Sequence, residues 1–141
     1  MTAFKSKYLQ DAAVNWLKGT AYPTAPANVY VALVTTAPTA RDGTGLVEAT
    51  GGSYARQAIA NAGFSATSTS GSGLTAIEEI SNSAQLSYTS MPACTVVGAA
   101  TYDALTLGNF LYYADLTGGS QVVASGATFN LPASNVLFEE L

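Results

Sequence analysis

Two pairs of adjacent carboxylates come closest to a catalytic arrangement in this sequence. They are Glu78-Glu79 and Glu139-Glu140. Two carboxylates can act together in hydrolysis only when both converge on one substrate. Each pair lies in a segment that we predict to be a β-strand, where neighbouring side chains point to opposite faces of the sheet. We therefore interpret both pairs as solvated or interfacial charge.

Other residue types that carry chemistry are scarce. The sequence has no histidine, and its one cysteine, Cys94, can form neither an internal disulfide nor a zinc cluster. Asp42 stands at a glycine-rich loop that could hold calcium, but the spacing matches no known calcium-binding loop. The glycine patterns of nucleotide sites are also missing. We expect a protein that is not an enzyme and has no catalytic residue, no cofactor and no metal ion.

Arg56 is the one basic residue in a strand region that otherwise contains only acids. A half-buried arginine needs a carboxylate partner. We predict a structural ion pair between Arg56 and either Asp103 or Asp115. Contact of Arg56 with another subunit is the alternative.

The chain carries little charge, and the charge is unevenly distributed. Charged residues make up 10% of the sequence, against about 25% in an average globular protein. Surfaces that meet other subunits are depleted of charge in this way. The first 56 positions hold five basic and three acidic residues, and the other 85 hold six acidic and no basic ones. A basic first part and an acidic second part of the chain suit head-to-tail contact between copies. Charge scattered over a solvated surface is an equal alternative.

Apolar periodicity predicts the elements that position these residues. Residues 5–18 place apolar side chains on one helical face, and Gly19 is a suitable helix stop. Two prolines then favour an extended link, which leads into an apolar, β-branched segment at residues 29–34 that predicts a central strand. We predict a loop at residues 37–52 and a flexible stretch at residues 65–73. Further short strands are predicted near residues 53–60, 76–81, 84–90, 94–103, 109–116, 121–124, 127–131 and 135–140.

One helix followed by short strands without crossover helices predicts a mainly β protein. The expected fold is an antiparallel β-sandwich or jelly-roll-like domain with one N-terminal α-helix. We divide the chain into an N-terminal helix and extended arm, residues 1–27, and a β domain, residues 28–141. The arm is expected to bind another subunit. Its interface residues would be Tyr8, Leu9, Trp16, Leu17 and Tyr22.

Several ordered segments resemble a group of small virion proteins of tailed bacteriophages. These proteins are often described as tail-fibre or minor structural proteins, and some resemble capsid cement proteins. The segments are residues 16–23, 29–35, 51–57, 97–104, 108–116 and 123–132. The resemblance covers most of the chain. It implies a β-rich, non-enzymatic building block that self-associates, and the expected oligomer is a trimer.

We interpret the chain first as a capsid decoration (cement) protein that stabilises the head shell, with the major capsid protein as its partner. A tail or tail-fibre component, with tail proteins as partners, is the alternative. The formal net charge of -4 argues against a nucleic-acid partner. Neither a long apolar span nor a secretion leader is recognised, so we expect no membrane partner. The protein would be made in the host cytoplasm and reside in the virion.

Overall fold

The computed structural model of the chain describes residues 3–140. It contains one α-helix, α1 (Lys7–Trp16), and two short 3-10 turns, Asn61–Gly63 and Gly73–Thr75. The described strands, in chain order, are β1 (Ala3–Lys5), β2 (Asn28–Thr36), β3 (Val47–Glu48), β4 (Gln57–Ala60), β5 (Ser68–Ser70), β6 (Ile77–Ser81), β7 (Leu86–Tyr88), β8 (Cys94–Val96), β9 (Gly98–Tyr102), β10 (Phe110–Asp115), β11 (Gln121–Val123), β12 (Phe129–Leu131) and β13 (Leu137–Glu140).

Strand β2 lies at the centre of the main sheet. The strand order is β1-β10-β9-β2-β3, with β4 also paired to β2, and all of these pairs are antiparallel. Residues 31–34 of β2 are fully buried, although their side chains alternate between the two faces. Both faces of the sheet are therefore covered at this strand, which agrees with its unbroken apolar sequence.

The two faces of the main sheet contribute to two separate hydrophobic cores. One core contains Val31 and Leu33 of β2 together with side chains from β7, β8, β11 and β12. The other contains Ala32 and Val34 of β2 with Phe110 and Tyr113 of β10. Period-two alternation along β2 therefore places successive side chains in different cores.

Two short ladders form a second layer against the first core. They are the antiparallel pairs β7–β12 and β8–β11. The Tyr88 hydroxyl of β7 crosses between the layers and donates a hydrogen bond of 2.9 Å to the Val31 carbonyl. Tyr88 also packs edge-to-face against Phe129 of β12. The arrangement is sandwich-like, and the predicted mainly β fold with antiparallel sheets and one helix is confirmed.

A third sheet, with the order β13-β6-β5, brings the two acidic pairs together. Glu78 lies directly opposite Glu140, and Glu79 lies opposite Glu139. Like charges at directly opposed positions of an antiparallel pair destabilise the sheet. Within each sequence pair the two carboxylates point to opposite faces of the sheet, as predicted, but the register places Glu78 beside Glu140 on one face and Glu79 beside Glu139 on the other.

The predicted elements differ from the described ones mainly where strands are very short. Strands β1, β3 and β5 were not predicted, and the segment predicted as one strand at residues 94–103 is divided into β8 and β9. The helix begins at Lys7, with buried Ser6 as its N-cap: the Ser6 hydroxyl accepts the Leu9 amide. Strands of two or three residues carry too few apolar positions to show a period.

The prediction of an N-terminal arm at residues 1–27 needs correction for its beginning. Strand β1 forms the edge of the main sheet and pairs with β10. Phe4 packs against Phe110 and Tyr113, and it contributes to the second core. The chain therefore enters the domain before the helix begins. The helix itself has no buried residue and lies on the outside of the sheet.

Replacing Gly98 by alanine is expected to destabilise the domain by about 1–3 kcal/mol, the usual cost of overfilling a core. An added Cβ would lie 2.5 Å from the Ala114 carbonyl oxygen and 2.5 Å from the Tyr113 hydroxyl. Backbone atoms of β10 cannot move away without breaking the β9–β10 ladder. Urea unfolding of the Gly98→Ala variant measures the loss.

Gly63→Ala is the matched control, because a Cβ there meets only one side-chain atom, the Ile59 Cγ2 methyl at 3.3 Å, and no backbone atom within 4 Å. The two variants make the same chemical change at positions without a positive φ. Equal unfolding free energies would contradict the close β9–β10 contact.

Candidate functional site

Arg56 forms a partly buried ion pair with Glu48. Its Nε donates to Glu48 Oε1 at 3.0 Å, and its Nη2 donates to Glu48 Oε2 at 2.8 Å. The two-pronged geometry uses the fixed fork of the guanidinium. Only 9% of the Arg56 side chain is exposed. The prediction of an ion pair with Asp103 or Asp115 is therefore wrong about the partner.

Glu48 was missed because residues 37–52 were predicted to be a loop. The residue belongs to β3, which pairs with the end of β2. The adjacent apolar residues Leu46 and Val47, between two groups of glycines, were the signal for this short strand. Asp103 instead accepts hydrogen bonds from the backbone and side-chain nitrogens of Asn109. Asp115 accepts one from the Tyr113 hydroxyl at 2.6 Å.

Two tyrosines complete the surroundings of this ion pair. The Tyr54 hydroxyl donates to Glu48 Oε1 and accepts the Leu33 amide, both at 2.9 Å. The Arg56 guanidinium lies 3.7 Å from the centre of the Tyr102 ring. Burial opposes the charge of Arg56, but the hydrogen bonds and the charge of Glu48 outweigh it and raise the Arg56 pKa. We call Glu48, Tyr54, Arg56 and Tyr102 the arginine cluster.

The arginine cluster holds the loop between β9 and β10. Arg56 Nη1 donates to the carbonyls of Ala104 at 3.0 Å and Leu107 at 2.8 Å. Leu107 has a φ of 55°, a left-handed conformation that is uncommon for a non-glycine residue. Its side chain is 87% exposed, and that of Leu105 is 51% exposed. The loop thus presents two leucines from a strained backbone that Arg56 supports.

The structure separates the predicted interface residues into two groups. Tyr8 and Leu9, at the start of α1, are half-buried. Trp16, Leu17 and Tyr22 are exposed by 61%, 77% and 49%. The exposed group is available to a partner, and the interface role of all five residues stays a prediction.

A polar cleft of about 460 Å³ opens between the start of α1 and the loops at residues 42–46 and 108–110. Lys7 and Asp11 form a surface ion pair there, and Tyr8 contributes an aromatic wall. Asp42 caps its own turn by accepting the Thr44 amide at 2.9 Å. Hydrogen bonding by the Thr44 side chain, and then by this amide, lowers the Asp42 pKa. In residues 3–140, no group of three His, Cys, Asp or Glu side chains is placed to hold a metal ion.

A second cavity, of about 290 Å³, lies between the third sheet and the main sheet. Its apolar lining includes Phe64, Leu111 and Phe138, and Phe138 packs edge-to-face against both Phe64 and Tyr112. Glu78, Glu79 and Glu140 are also among the lining residues. We call this the acidic cavity.

The free energy of unfolding is expected to fall as the pH rises above about 10, where tyrosines of an unfolded chain ionise. Burial, the largest cause, raises the pKa of Tyr54, Tyr88 and Tyr112 above the ordinary value of 10.0. The folded chain therefore keeps protons that the unfolded chain loses. The contribution is fully present below pH 10.0 and is lost as pH rises from there toward the folded-state pKa.

Urea unfolding at a series of alkaline pH values, with tyrosinate absorbance followed in parallel, measures this effect. The Tyr88→Phe variant should show a shallower decline, because one protected tyrosine is removed. Complete tyrosine ionisation in a chain that keeps its folded circular dichroism would contradict the prediction.

One family model matches residues 5–139, and its description is Podophage GP4 fiber I protein gp80. No curated protein matches the sequence. Among the described residues, no helix is long and apolar enough to cross a membrane.

Proposed function

Because the chain belongs to the family of the podophage GP4 fiber I protein gp80, a family of phage virion structural proteins, we propose that it is a structural component of the tail fibre. The resemblance to small virion proteins of tailed phages is thereby confirmed. The word fibre in the family description favours the tail-fibre alternative over capsid decoration. This word is the single observation on which the choice of tail fibre over capsid decoration rests.

The surface of the domain supports a role in assembly. Ten large hydrophobic side chains in the described residues are exposed, and such side chains mark interaction sites where they form contiguous patches. Trp16 and Leu17 are adjacent at the end of α1, and Leu105 and Leu107 lie two positions apart in the β9–β10 loop. Side chains of this type form the centres of protein interfaces. We infer that the partners are tail proteins and further copies of this chain, in a cyclic oligomer such as a trimer.

We also propose that the protein is not an enzyme. The acidic side chains that could do chemistry are used structurally. Glu48 binds Arg56, Asp103 binds Asn109, and Glu140 binds Lys5 and the Tyr112 hydroxyl. These contacts give each of the three carboxylates a structural role that needs no substrate.

Labelling of intact virions tests the location. A short epitope inserted between Gly118 and Gly119 would lie in an exposed turn where an added Cβ meets no atom within 4 Å. Phage carrying this insertion should form plaques, and gold-labelled antibody should be seen on the tail fibres by electron microscopy. Label confined to the head shell would contradict the proposal and restore capsid decoration.

A further inference from the structure

The end of helix α1 presents an apolar patch followed by a positive charge. Trp16 and Leu17 are both more than half exposed. Lys18 is exposed, and its amine contacts the Asn15 side-chain oxygen at 3.3 Å. No carboxylate of the described residues forms an ion pair with it. We call Trp16, Leu17 and Lys18 the helix tip.

The acidic cavity complements the helix tip in both polarity and charge. Its lining is mostly apolar, with aromatic rings from Phe64 and Phe138. In β6 and β13, Glu78, Ile80, Phe138 and Glu140 share one face of the sheet, because Glu78 pairs with Glu140 and Ile80 with Phe138. That face lines the cavity, so a carboxylate stands beside the apolar lining.

The charge beside the cavity is only partly compensated within the chain. The Glu140 carboxylate has the Lys5 amine at 2.7 Å. Glu78 is exposed, and its described hydrogen bond comes from the neutral Thr69 hydroxyl at 2.7 Å. A cation beside Glu78 would offset the repulsion between Glu78 and Glu140.

We propose that the acidic cavity of one copy of this chain receives the helix tip of another copy. The apolar side chains of the tip occupy the cavity, and the Lys18 amine pairs with Glu78. The cavity volume of about 290 Å³ is slightly below the range of about 300–1,000 Å³ typical of small-molecule pockets. Protruding side chains of a protein segment suit a cavity of this size.

A second copy is the favoured occupant because the chain itself carries both complementary surfaces. All its basic residues lie in the first 56 positions, and its last 85 positions contain only acidic charges. A contact between the helix tip and the cavity joins the basic end of one copy to the acidic end of the next. Such a contact is heterologous and closes into a ring when the rotation between copies allows it. This inference rests on the proposed role in an assembled fibre and specifies one of its contacts.

Substitutions that swap the charges of Lys18 and Glu78 test the contact between the helix tip and the acidic cavity. Sedimentation of the full chain over a range of concentrations should show reversible self-association. Lys18→Glu and Glu78→Lys should each weaken association by about three- to tenfold, because each places like charges together. The double variant Lys18→Glu/Glu78→Lys should recover most of the affinity.

Glu139→Lys is the matched control for Glu78→Lys. Both residues are exposed and undergo the same charge change in the same sheet, but Glu139 pairs with Glu79 on the other face and does not line the cavity. Leu17→Ser should also weaken association. Leu74→Ser, which replaces a fully exposed leucine elsewhere, should leave it unchanged. Thermal unfolding of each variant verifies that the domain is folded.

Equal effects of Glu78→Lys and Glu139→Lys, or no recovery in the double variant, would overturn the proposed contact. A wild-type chain that stays monomeric at all accessible concentrations would overturn it as well. A change in thermal stability that is independent of concentration would instead indicate a contact within one chain. In each case, gold labelling of the tail fibres would still support the proposed function, so the two failures can be distinguished.

Discussion

Arg56→Met is expected to lower the free energy of unfolding by about 3–5 kcal/mol, the usual cost of removing one partner from a buried ion pair. Loss of the guanidinium leaves the Glu48 carboxylate, 22% exposed, without its cation. It also leaves the carbonyls of Ala104 and Leu107 without their donor. Urea unfolding measures the change. Limited proteolysis should show faster cleavage in the β9–β10 loop.

Two further variants separate charge from geometry in this prediction. Arg56→Lys keeps the positive charge but cannot make the two-pronged bond to Glu48, so it should recover less than half of the loss. Lys7→Met removes an exposed ion pair with Asp11 and should change stability by less than about 1 kcal/mol. If Arg56→Met unfolds at the same urea concentration as Lys7→Met, the arginine cluster does not stabilise the domain.

Deleting residues 1–5 is expected to lower the free energy of unfolding by about 2–3 kcal/mol, less than the full cost of removing a buried phenylalanine, because Phe4 is only partly buried. The deletion removes β1 from the edge of the main sheet and Phe4 from the second core. It also removes the Lys5 amine from Glu140. Calorimetry of the truncated domain measures the loss.

The result of this deletion also decides between two views of the N-terminal segment. If residues 1–27 formed a detachable arm outside the β domain, as the predicted division of the chain would allow, its beginning could be removed without loss of stability. Leu17→Ala is the control within the same segment, since a side chain that is 77% exposed should contribute little. An unchanged unfolding temperature after the deletion would restore the detachable arm.

The sequence predicts the longer elements because their periodicity extends over enough residues. Strand β2 was recognised from its unbroken apolar run, and β10 from the aromatic segment that begins at Phe110. Helix α1 was recognised from its apolar face, although its bounds are shorter than predicted. The glycines and polar residues between strands identified most of the turns.

The partner of Arg56 could not be predicted for a physical reason. Glu48 and Arg56 are only eight positions apart, but β3 and β4 pair with different parts of β2. Their side chains meet because of the tertiary path of the chain between the two strands. Asp103 and Asp115 were plausible partners because acids predominate in the later strands, yet their own neighbours Asn109 and Tyr113 bind them.

The acidic cavity was also beyond prediction from the sequence. Its walls come from segments that are far apart in the chain, including Phe64, Leu111 and Phe138. Each residue alone has the pattern of an ordinary core side chain. Only the register between β6 and β13 shows that Glu78 and Glu140 lie beside the same apolar lining.

The pairing of β1 with β10 has a consequence for the way this domain forms during synthesis. Strand β1 leaves the ribosome before its partner β10, which follows more than a hundred residues later. The bridge between Lys5 and Glu140 spans 135 positions. Topologies with such distant pairings fold slowly, in milliseconds to seconds for small β domains. The edge of the main sheet therefore cannot form until more than a hundred residues after β1 have been synthesised.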